Sequence, residues 1–492
     1  MLNLNPLLLL ILLPICSMII LGIVNRFSPN IEIKIYSGIK MRIEYLISLI
    51  TSLLVLIMSL WIASEGIGKT GFFMLAEYTW IEGFITLTLA TDVFSSIMLI
   101  LSGILVFSAV FASIGYIKEE HTKYNALMML FLIGIIGVFT SFNLFFFYLF
   151  WELVLIPMFF FILKWGGPNR NYAAYKFFIY THAGSLLMLV GFMVLYSYTS
   201  TFNSFEIALG IKSGIVPSTM ILPIFLAFFA GFAVKVPLVP FHTWLPDAHV
   251  EAPGPISVLL AGLLLKMGGY GFLRFTPLFF DSILPTIQTP LIILGLITAI
   301  YGALVAGTQK DLKRLIALTS VSHMGFVIVG LGAMNQLSIG GSIFQMVSHG
   351  MISGTFFILS GIIPLVAGSR LIPELNGLGS KKFTSFLLIF TALAGFGLPG
   401  LSGFVGEYMI IAGSIKTLSI SALIVIAPAV VAAYMVWMIY KTVFTQGDVK
   451  GTHEDSLYLL LPAILLAILI LFLGLYPSIL LEYLQPYIGQ FG

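Results

Sequence analysis

Apolar residues run through this chain in long unbroken stretches rather than in alternation. Roughly 14 stretches approach the about 20 residues that an α-helix needs to cross a hydrocarbon layer. They fall at 5–25, 44–63, 93–115, 125–141, 143–163, 177–198, 219–240, 252–273, 285–306, 315–333, 341–363, 383–411, 418–440 and 457–480. Strict apolar–polar alternation, the mark of a membrane β-barrel, is missing. The pattern predicts an all-α integral membrane protein with about 14 transmembrane helices. No basic flank precedes the first stretch, which reads as a span and not as a cleaved signal. The longest polar stretches, 26–43, 64–92 and 199–218, are short, and no compositional break separates domains.

Composition narrows the class. Of the 492 residues 59% are hydrophobic and only 9% charged, against about one quarter charged in an ordinary soluble protein. So few charges cannot cover a water-facing surface, which excludes a soluble enzyme, a nucleic-acid binder and a disordered chain. The net charge of +3 is too small to indicate an anionic partner. Cys16 is the single cysteine, so a disulfide scaffold, an iron–sulfur site and a cysteine zinc site are excluded. The basic residues sort by loop. Seventeen, among them Arg26, Lys34, Lys40, Lys118, Lys164, Lys310, Lys313 and Arg370, lie on one set of loops. The other set holds Lys69, Lys212, Arg274 and Lys416. The positive-inside rule makes the first set cytoplasmic (or its organellar equivalent) and puts both termini on the opposite side.

Against this background four charges stand out. Glu152 lies in the aromatic and aliphatic run 145–161, Lys235 ends the run 225–234, Lys266 sits in 258–271, and Glu407 occupies a span interrupted by Gly395, Gly397, Pro399 and Gly400. A charge at bilayer depth costs a few kcal/mol on insertion scales and is usually functional or paired. Structural ion pairs or snorkelling ends are the plain alternative, and snorkelling suits Glu152 and Lys266 poorly. Desolvation raises a carboxyl pKa and lowers that of an amine. A Glu–Lys pair that can be drawn apart is therefore a proton switch, and Glu152 with Lys235 is a candidate. Five of the seven histidines, His182, His242, His249, His323 and His349, lie in or beside spans. Each can relay a proton near neutrality or simply hydrogen-bond between helices. His242 and His249, with Asp247 between them, make a weak metal signal, and no metal site is expected.

Two spans carry backbone breaks: Lys235-Val-Pro-Leu-Val-Pro240, and Gly395-Phe-Gly-Leu-Pro-Gly-Leu-Ser-Gly403. Irregular backbone at membrane depth is tolerated only where protein or a water-filled cavity satisfies it, and paired broken helices point to ion sites in transporters. An ordinary proline kink is the alternative. The breaks fall in the seventh and twelfth spans. Five-helix units, spans 4–8 and 9–13, would each carry the break in their fourth helix, and an odd number of spans inverts the second copy. The expected layout is helices 1–3 in 1–115, the first repeat in 116–280, the second, inverted repeat in 281–445, and the last helix in 446–492.

Five motifs resemble one family closely. They are Trp151-Glu152-Leu-Val-Leu-Ile-Pro157, Lys235-Val-Pro-Leu-Val-Pro-Phe-His242-Thr-Trp-Leu-Pro-Asp247-Ala-His249, Lys266-Met-Gly-Gly-Tyr-Gly, Asp311 through His323, and Gly400-Leu-Ser-Gly-Phe-Val-Gly-Glu407. Together, over nearly the whole chain, they look like the antiporter-like subunits of respiratory complex I, of the chain M or subunit 4 type. Glutamate at 407, where the L and N chains usually carry lysine, and a chain that stops soon after the last span, favour that type. Multisubunit sodium/proton antiporter chains share the first three motifs and are the second candidate. Glu251-Ala-Pro-Gly departs from the commoner Ala-Pro-Thr form.

The resemblance implies a proton-translocating module with 14 helices, two inverted five-helix repeats and two broken helices. It implies that Glu152 and Lys235 act as the coupled pair, Lys266 as the central relay, His323 and His349 as its onward connection, and Glu407 as the terminal site. His242 would gate the Lys235 motif, with His249 and His182 in support. It also implies an oxidoreductase complex whose redox chemistry lies elsewhere, for this chain has no cysteine cluster and no nucleotide fingerprint. No cofactor is expected on this chain. Flavin, iron–sulfur clusters and quinone or methanophenazine belong to other subunits, and the electron donor is NADH, a reduced deazaflavin or ferredoxin. Expected partners are L-, N- and K-type neighbours, a peripheral electron-transfer arm and the lipid bilayer, with no nucleic acid. The expected location is a prokaryotic cell (inner) membrane, with thylakoid and mitochondrial inner membranes as the other candidates.

Overall fold

The computed structural model describes residues 5–27, 31–34, 40–82 and 85–491. Among them are 13 helices long and apolar enough to cross a membrane. The expected span 383–411 is divided into two shorter helices, Lys382–Gly395 and Ser402–Thr417. At 1.5 Å per residue these are about 21 Å and 24 Å long, short of the about 30 Å hydrocarbon core. The count of 13 rather than 14 thus follows from the backbone break itself. Large apolar side chains such as Ile57, Trp61, Ile179, Leu187, Val190 and Ile468 remain exposed on the outer helices, as lipid contact requires. By contrast, helices Gly254–Phe279 and Leu312–Ala333 are enclosed by protein throughout their apolar stretches.

The fold is not purely helical. The polar stretch 64–92 contains an antiparallel hairpin in which Met74–Ile81 pairs with Ile85–Thr91, Met74 facing Thr91. The β-branched run Ile85-Thr-Leu-Thr-Leu-Ala-Thr91 suits a strand, and its end, Thr88 to Thr91, is buried on both faces. A smaller ribbon, Glu32–Lys34 with Lys40–Arg42, lies in the stretch 26–43, part of which is outside the described residues, as are the side chains of Lys34 and Lys40.

Each break has a local cause. Helix Ser218–Lys235 stops before Pro237, and Trp244–Glu251 follows Pro240. Proline supplies no N–H and its ring clashes with the preceding turn. The second break turns at Gly397 and Gly400, with φ of +77° and +92°, a region glycine enters at little cost. The hydrogen bonding around the two breaks is the same. Leu238 N–H donates to the Ala233 carbonyl at 2.9 Å and Leu398 N–H to Leu393 at 3.0 Å; Phe241 then donates to Leu238 and Leu401 to Leu398. A second pattern also recurs. Asn143 and Asp311 each cap a helix with their side chains. Each also bridges an antiparallel neighbour, Asn203 and Leu371 respectively. The flanking bonds correspond as well: Leu144 N–H to Phe202 and Ser204 N–H to Phe142, against Leu312 N–H to Arg370 and Ile372 N–H to Lys310.

The core helices approach through small residues. A Cβ on Gly325 would lie 2.5 Å from the Ala299 backbone nitrogen, so helices Leu284–Gly307 and Leu312–Ala333 meet backbone to backbone, as small residues allow in membrane bundles. Gly325→Leu should wedge them apart and lower the melting temperature of the detergent-solubilised protein; an unchanged melt would contradict this contact.

Candidate functional site

The site grows from irregular helices. In Gly254–Phe279 the turn Leu260–Leu264 is a π-helix, and Lys266 follows it directly. A π-turn widens the helix and is often found at functional positions. Here the Lys266 ammonium donates to the Ala261 carbonyl at 2.6 Å and lies 2.5 Å from His349 Nδ1. Because an ammonium only donates, His349 Nδ1 is the acceptor in that contact. The His349 ring meets His323 edge to face, with 5.4 Å between centroids. His323 Nε2 stands 3.5 Å from Glu407 Oε1, near enough for charge pairing but long for a well-formed hydrogen bond. Lys266, His349, His323 and Glu407 thus form one line of buried ionisable groups drawn from four helices.

Glu407 is fixed by the second break. Its carboxylate lies against Gly397, where a Cβ would come 2.7 Å from Oε2. The Ser348 and Ser402 hydroxyls bond at 2.8 Å and tie the His349 helix to the start of the Glu407 helix. Gly397→Ala would place a side chain at positive φ and press it on the carboxylate. It should destabilise the protein by about 1–2 kcal/mol, the cost of a left-handed non-glycine residue, with a matching fall in melting temperature as the check.

The first half of the chain is arranged differently. Lys235 ends its helix fully buried, and among the described residues its ammonium has no hydrogen-bond partner. It lies 5.5 Å from the Trp151 ring centroid and 5.9 Å from that of Phe177, a cation–π setting. Glu152 does not pair with it. Its Oε2 contacts His182 Nδ1 at 2.8 Å, on a flank where the two side chains are 22% and 38% exposed. Pro157 removes an N–H from the turn after Glu152, and the helix is interrupted at Val154. His242 packs edge to face on Tyr301. His249 is buried, stacked on Phe357 at 4.4 Å, and among the described residues neither ring nitrogen has a hydrogen-bond partner. Among the described residues no group of three His, Cys, Asp or Glu side chains is placed to hold a metal ion.

Two loop assignments need correction. Arg274 and Lys313 are assigned to water-facing loops by the sequence pattern, yet both are buried within helices, only 6% and 4% exposed. Arg274 forms a bidentate pair with Asp92 at 2.5 and 2.8 Å and also donates to Ser95. The rings of Phe142 and Tyr270 stand 5.1 Å from its guanidinium. Lys313 donates to the Ala252 carbonyl. Both lie near span ends, where a hydropathy window cannot separate a loop from the last buried turn. Sequence also gives no sign that Asp247 joins Lys176 at 2.7 Å to Arg314 at 3.3 Å, bridging three helices.

Comparison with known proteins places this fold. Residues 141–435 match the family model described as NADH:quinone oxidoreductase/Mrp antiporter, TM. NADH-quinone oxidoreductase subunit M of Rhodobacter capsulatus is 36% identical over 511 aligned positions, covering 99% of this chain and 96% of that one. F(420)H(2) dehydrogenase subunit M of Methanosarcina mazei is 38% identical over 379 positions, 74% of this chain and 75% of that one. A chain of respiratory complex I from Thermus thermophilus superposes with a TM-score of 0.86 at 25% identity, covering 99% of both. A chain of the Mrp complex from Dietzia shares the fold alone, with a TM-score of 0.85 at 19% identity over 98% of this chain and 97% of that one. Fold and site define an antiporter-like membrane subunit. The chain belongs to the NADH:quinone oxidoreductase/Mrp antiporter transmembrane family, and it aligns nearly end to end with an M-type subunit.

Proposed function

We propose that this chain is a membrane-arm subunit of a redox-driven proton pump of the complex I type. The observation that carries the proposal is the buried line Lys266–His349–His323–Glu407, which ends in a carboxylate held at a broken helix. Such groups are expensive at membrane depth and mark ion paths. Protons enter from the cytoplasmic side, pass through Lys235 to Lys266, move by way of His349 and His323, and leave through Glu407 toward the side of both termini. The hydrogen bonds that recur around the two breaks and the two capped helices support a pair of inverted five-helix units, 116–280 and 281–445.

Glu152 supplies the switch. Its contact with His182 leaves the Lys235 ammonium without a direct ion pair or hydrogen bond among the described residues. Movement of Glu152 toward Lys235 would reload it. Electron transfer in partner subunits drives that movement. Flavin, iron–sulfur clusters and a quinone or methanophenazine sit there, the donor being NADH, a reduced deazaflavin or ferredoxin. L-, N- and K-type neighbours and a peripheral arm complete the complex in a prokaryotic inner membrane.

In the assembled complex, Lys235→Ala should lower both electron transfer and proton pumping. Full retention of both would exclude the relay. The fold shared with the Mrp chain supports a second reading, a sodium/proton antiporter subunit. Copurification decides between the two: peripheral redox subunits support the pump, and a purified complex without them supports the antiporter.

A further inference from the structure

Two cavities lie one above the other in the seam between helices Val93–Ser113 and Leu457–Leu475, and both have helix Gln336–Ala367 as their floor. The larger, about 740 Å³, runs from Ile97 to Ile104 over Val347 and Met351, beneath the C-terminal helix Ser478–Ile488. The smaller, about 290 Å³, starts at Phe111 and lies over Ile358 and Ile362. At 1.5 Å per residue, Ile97 and Phe111 are about 21 Å apart along their helix, so each cavity occupies one half of the about 30 Å hydrocarbon core. Small residues leave the space open: Ala63, Ser64 and Gly68 border the larger cavity, and Ala112, Gly115 and Gly361 the smaller.

The seam closes between the cavities. Leu105 and Leu466 are fully buried and both reach Gly354, where a Cβ would lie 3.3 Å from Leu105 and 3.1 Å from Leu466. A partner's transmembrane helix is about 10–12 Å across and runs unbroken through the core, so it cannot fill both cavities past that closure. Acyl chains of the two leaflets end at the midplane and need no passage there. The walls are largely apolar, and such a hollow excludes water, while leaving it empty forfeits dispersion contacts on every wall atom.

The polar lining residues stand at the two ends. The larger cavity ends at Ser64, Glu482 and Tyr483. Lys69 follows the lining residue Gly68, and its contact with Glu65 is a loose 3.9 Å between half-exposed side chains. A cation and a carboxylate there match the phosphate and the amine of a zwitterionic headgroup. The smaller cavity ends at His453, Ser456 and Tyr458. Among the described residues the enclosed Tyr458 hydroxyl has no hydrogen-bond partner, and Lys381 reaches the His453 carbonyl at 3.4 Å. A phosphate or ester oxygen would accept from Tyr458 and face Lys381, as lipid headgroups do in basic pockets between helices.

We propose that the seam holds two phospholipids, one from each leaflet, whose tails meet at the Leu105–Leu466 closure and rest on the helix that carries His349. The lipid in the larger cavity has a zwitterionic headgroup set between Lys69 and Glu482. The other places its phosphate at Tyr458 and Lys381. Neither site depends on the relay reading.

The test uses the assembled complex in vesicles of phosphatidylethanolamine, a small share of which carries a photoreactive diazirine at the tail end. Irradiation should label Val347 or Met351 and, separately, Ile358 or Ile362, floor residues that the helices around them screen from bulk lipid. Moving the diazirine next to the ester should shift the label to Tyr483 and Tyr458. Ile100→Trp fills the larger cavity and should lose that label while keeping the other; Ala112→Trp should do the reverse. The label that remains shows each variant to be folded. If a tryptophan variant loses both labels, the shift with diazirine position in the unaltered protein decides. Label confined to outward-facing side chains such as Ile57 and Ile468 overturns the proposal. So does floor label that neither the diazirine position nor the tryptophans change, or floor label taken from a diazirine-bearing isoprenoid quinone in preference to the phospholipid.

Discussion

Lys266→Met should nearly stop proton translocation while leaving the protein as stable as before or more so. The ammonium is fully buried, its partners are a carbonyl and a histidine, and among the described residues no ion pair joins it to a carboxylate. Burying a charge that no carboxylate compensates is costly, and an apolar side chain of similar volume removes that cost. A positioned proton donor, however, contributes about 10²–10⁴-fold to a proton-transfer step. Coupled translocation should therefore fall by about two orders of magnitude while the melting temperature holds or rises. A structural lysine predicts the opposite pair of results, a lower melting temperature with translocation intact in whatever complex assembles.

Asp92→Ala should be the most destabilising single change outside that line. It strands the Arg274 guanidinium, which the structure buries beside Asp92 with side chains 5% and 4% exposed. Breaking a buried pair from one side costs about 3–5 kcal/mol, because an uncompensated charge remains. Asp92 also accepts from the Ser95 N–H as a helix cap, whose loss adds about 1 kcal/mol. The double variant Asp92→Leu with Arg274→Met removes both charges and should be much milder. Melting curves of the two proteins in detergent check this. A single variant within about 1 kcal/mol of the unaltered protein would mean the pair carries little of the fold.

Continuous apolar runs make the helices legible in the sequence, because nothing but membrane crossing calls for so many of them. The two breaks are legible as well. Proline lacks a donor and glycine turns freely, so 235–240 and 395–403 announce themselves whatever the surroundings. Lys266 and Glu407 stand out for the same reason: a charge amid apolar residues must have a use or a partner. Pairing is what sequence does not carry. The structure puts Glu152 on His182 rather than on Lys235, and brings His349, 83 residues along the chain from Lys266, to 2.5 Å from it. Both outcomes depend on helix rotation and tilt, which packing sets and hydropathy does not record. Arg274 and Lys313 were hidden by the same limit, since each lies near a span end where one turn separates water from protein. The hairpin in 64–92 is not legible in the sequence because its alternation is brief beside runs of about 20 apolar residues.

The account's central claim is that electron transfer elsewhere in the complex drives protons along a line ending at Glu407. The most direct measurement is proton release per electron by the purified complex in sealed vesicles without sodium, compared between the unaltered protein and Glu407→Gln. Glutamine keeps the shape but cannot carry the proton. The account predicts release by the unaltered complex and a clear loss in Glu407→Gln, with Glu407→Asp less affected. Equal release in all three would contradict it.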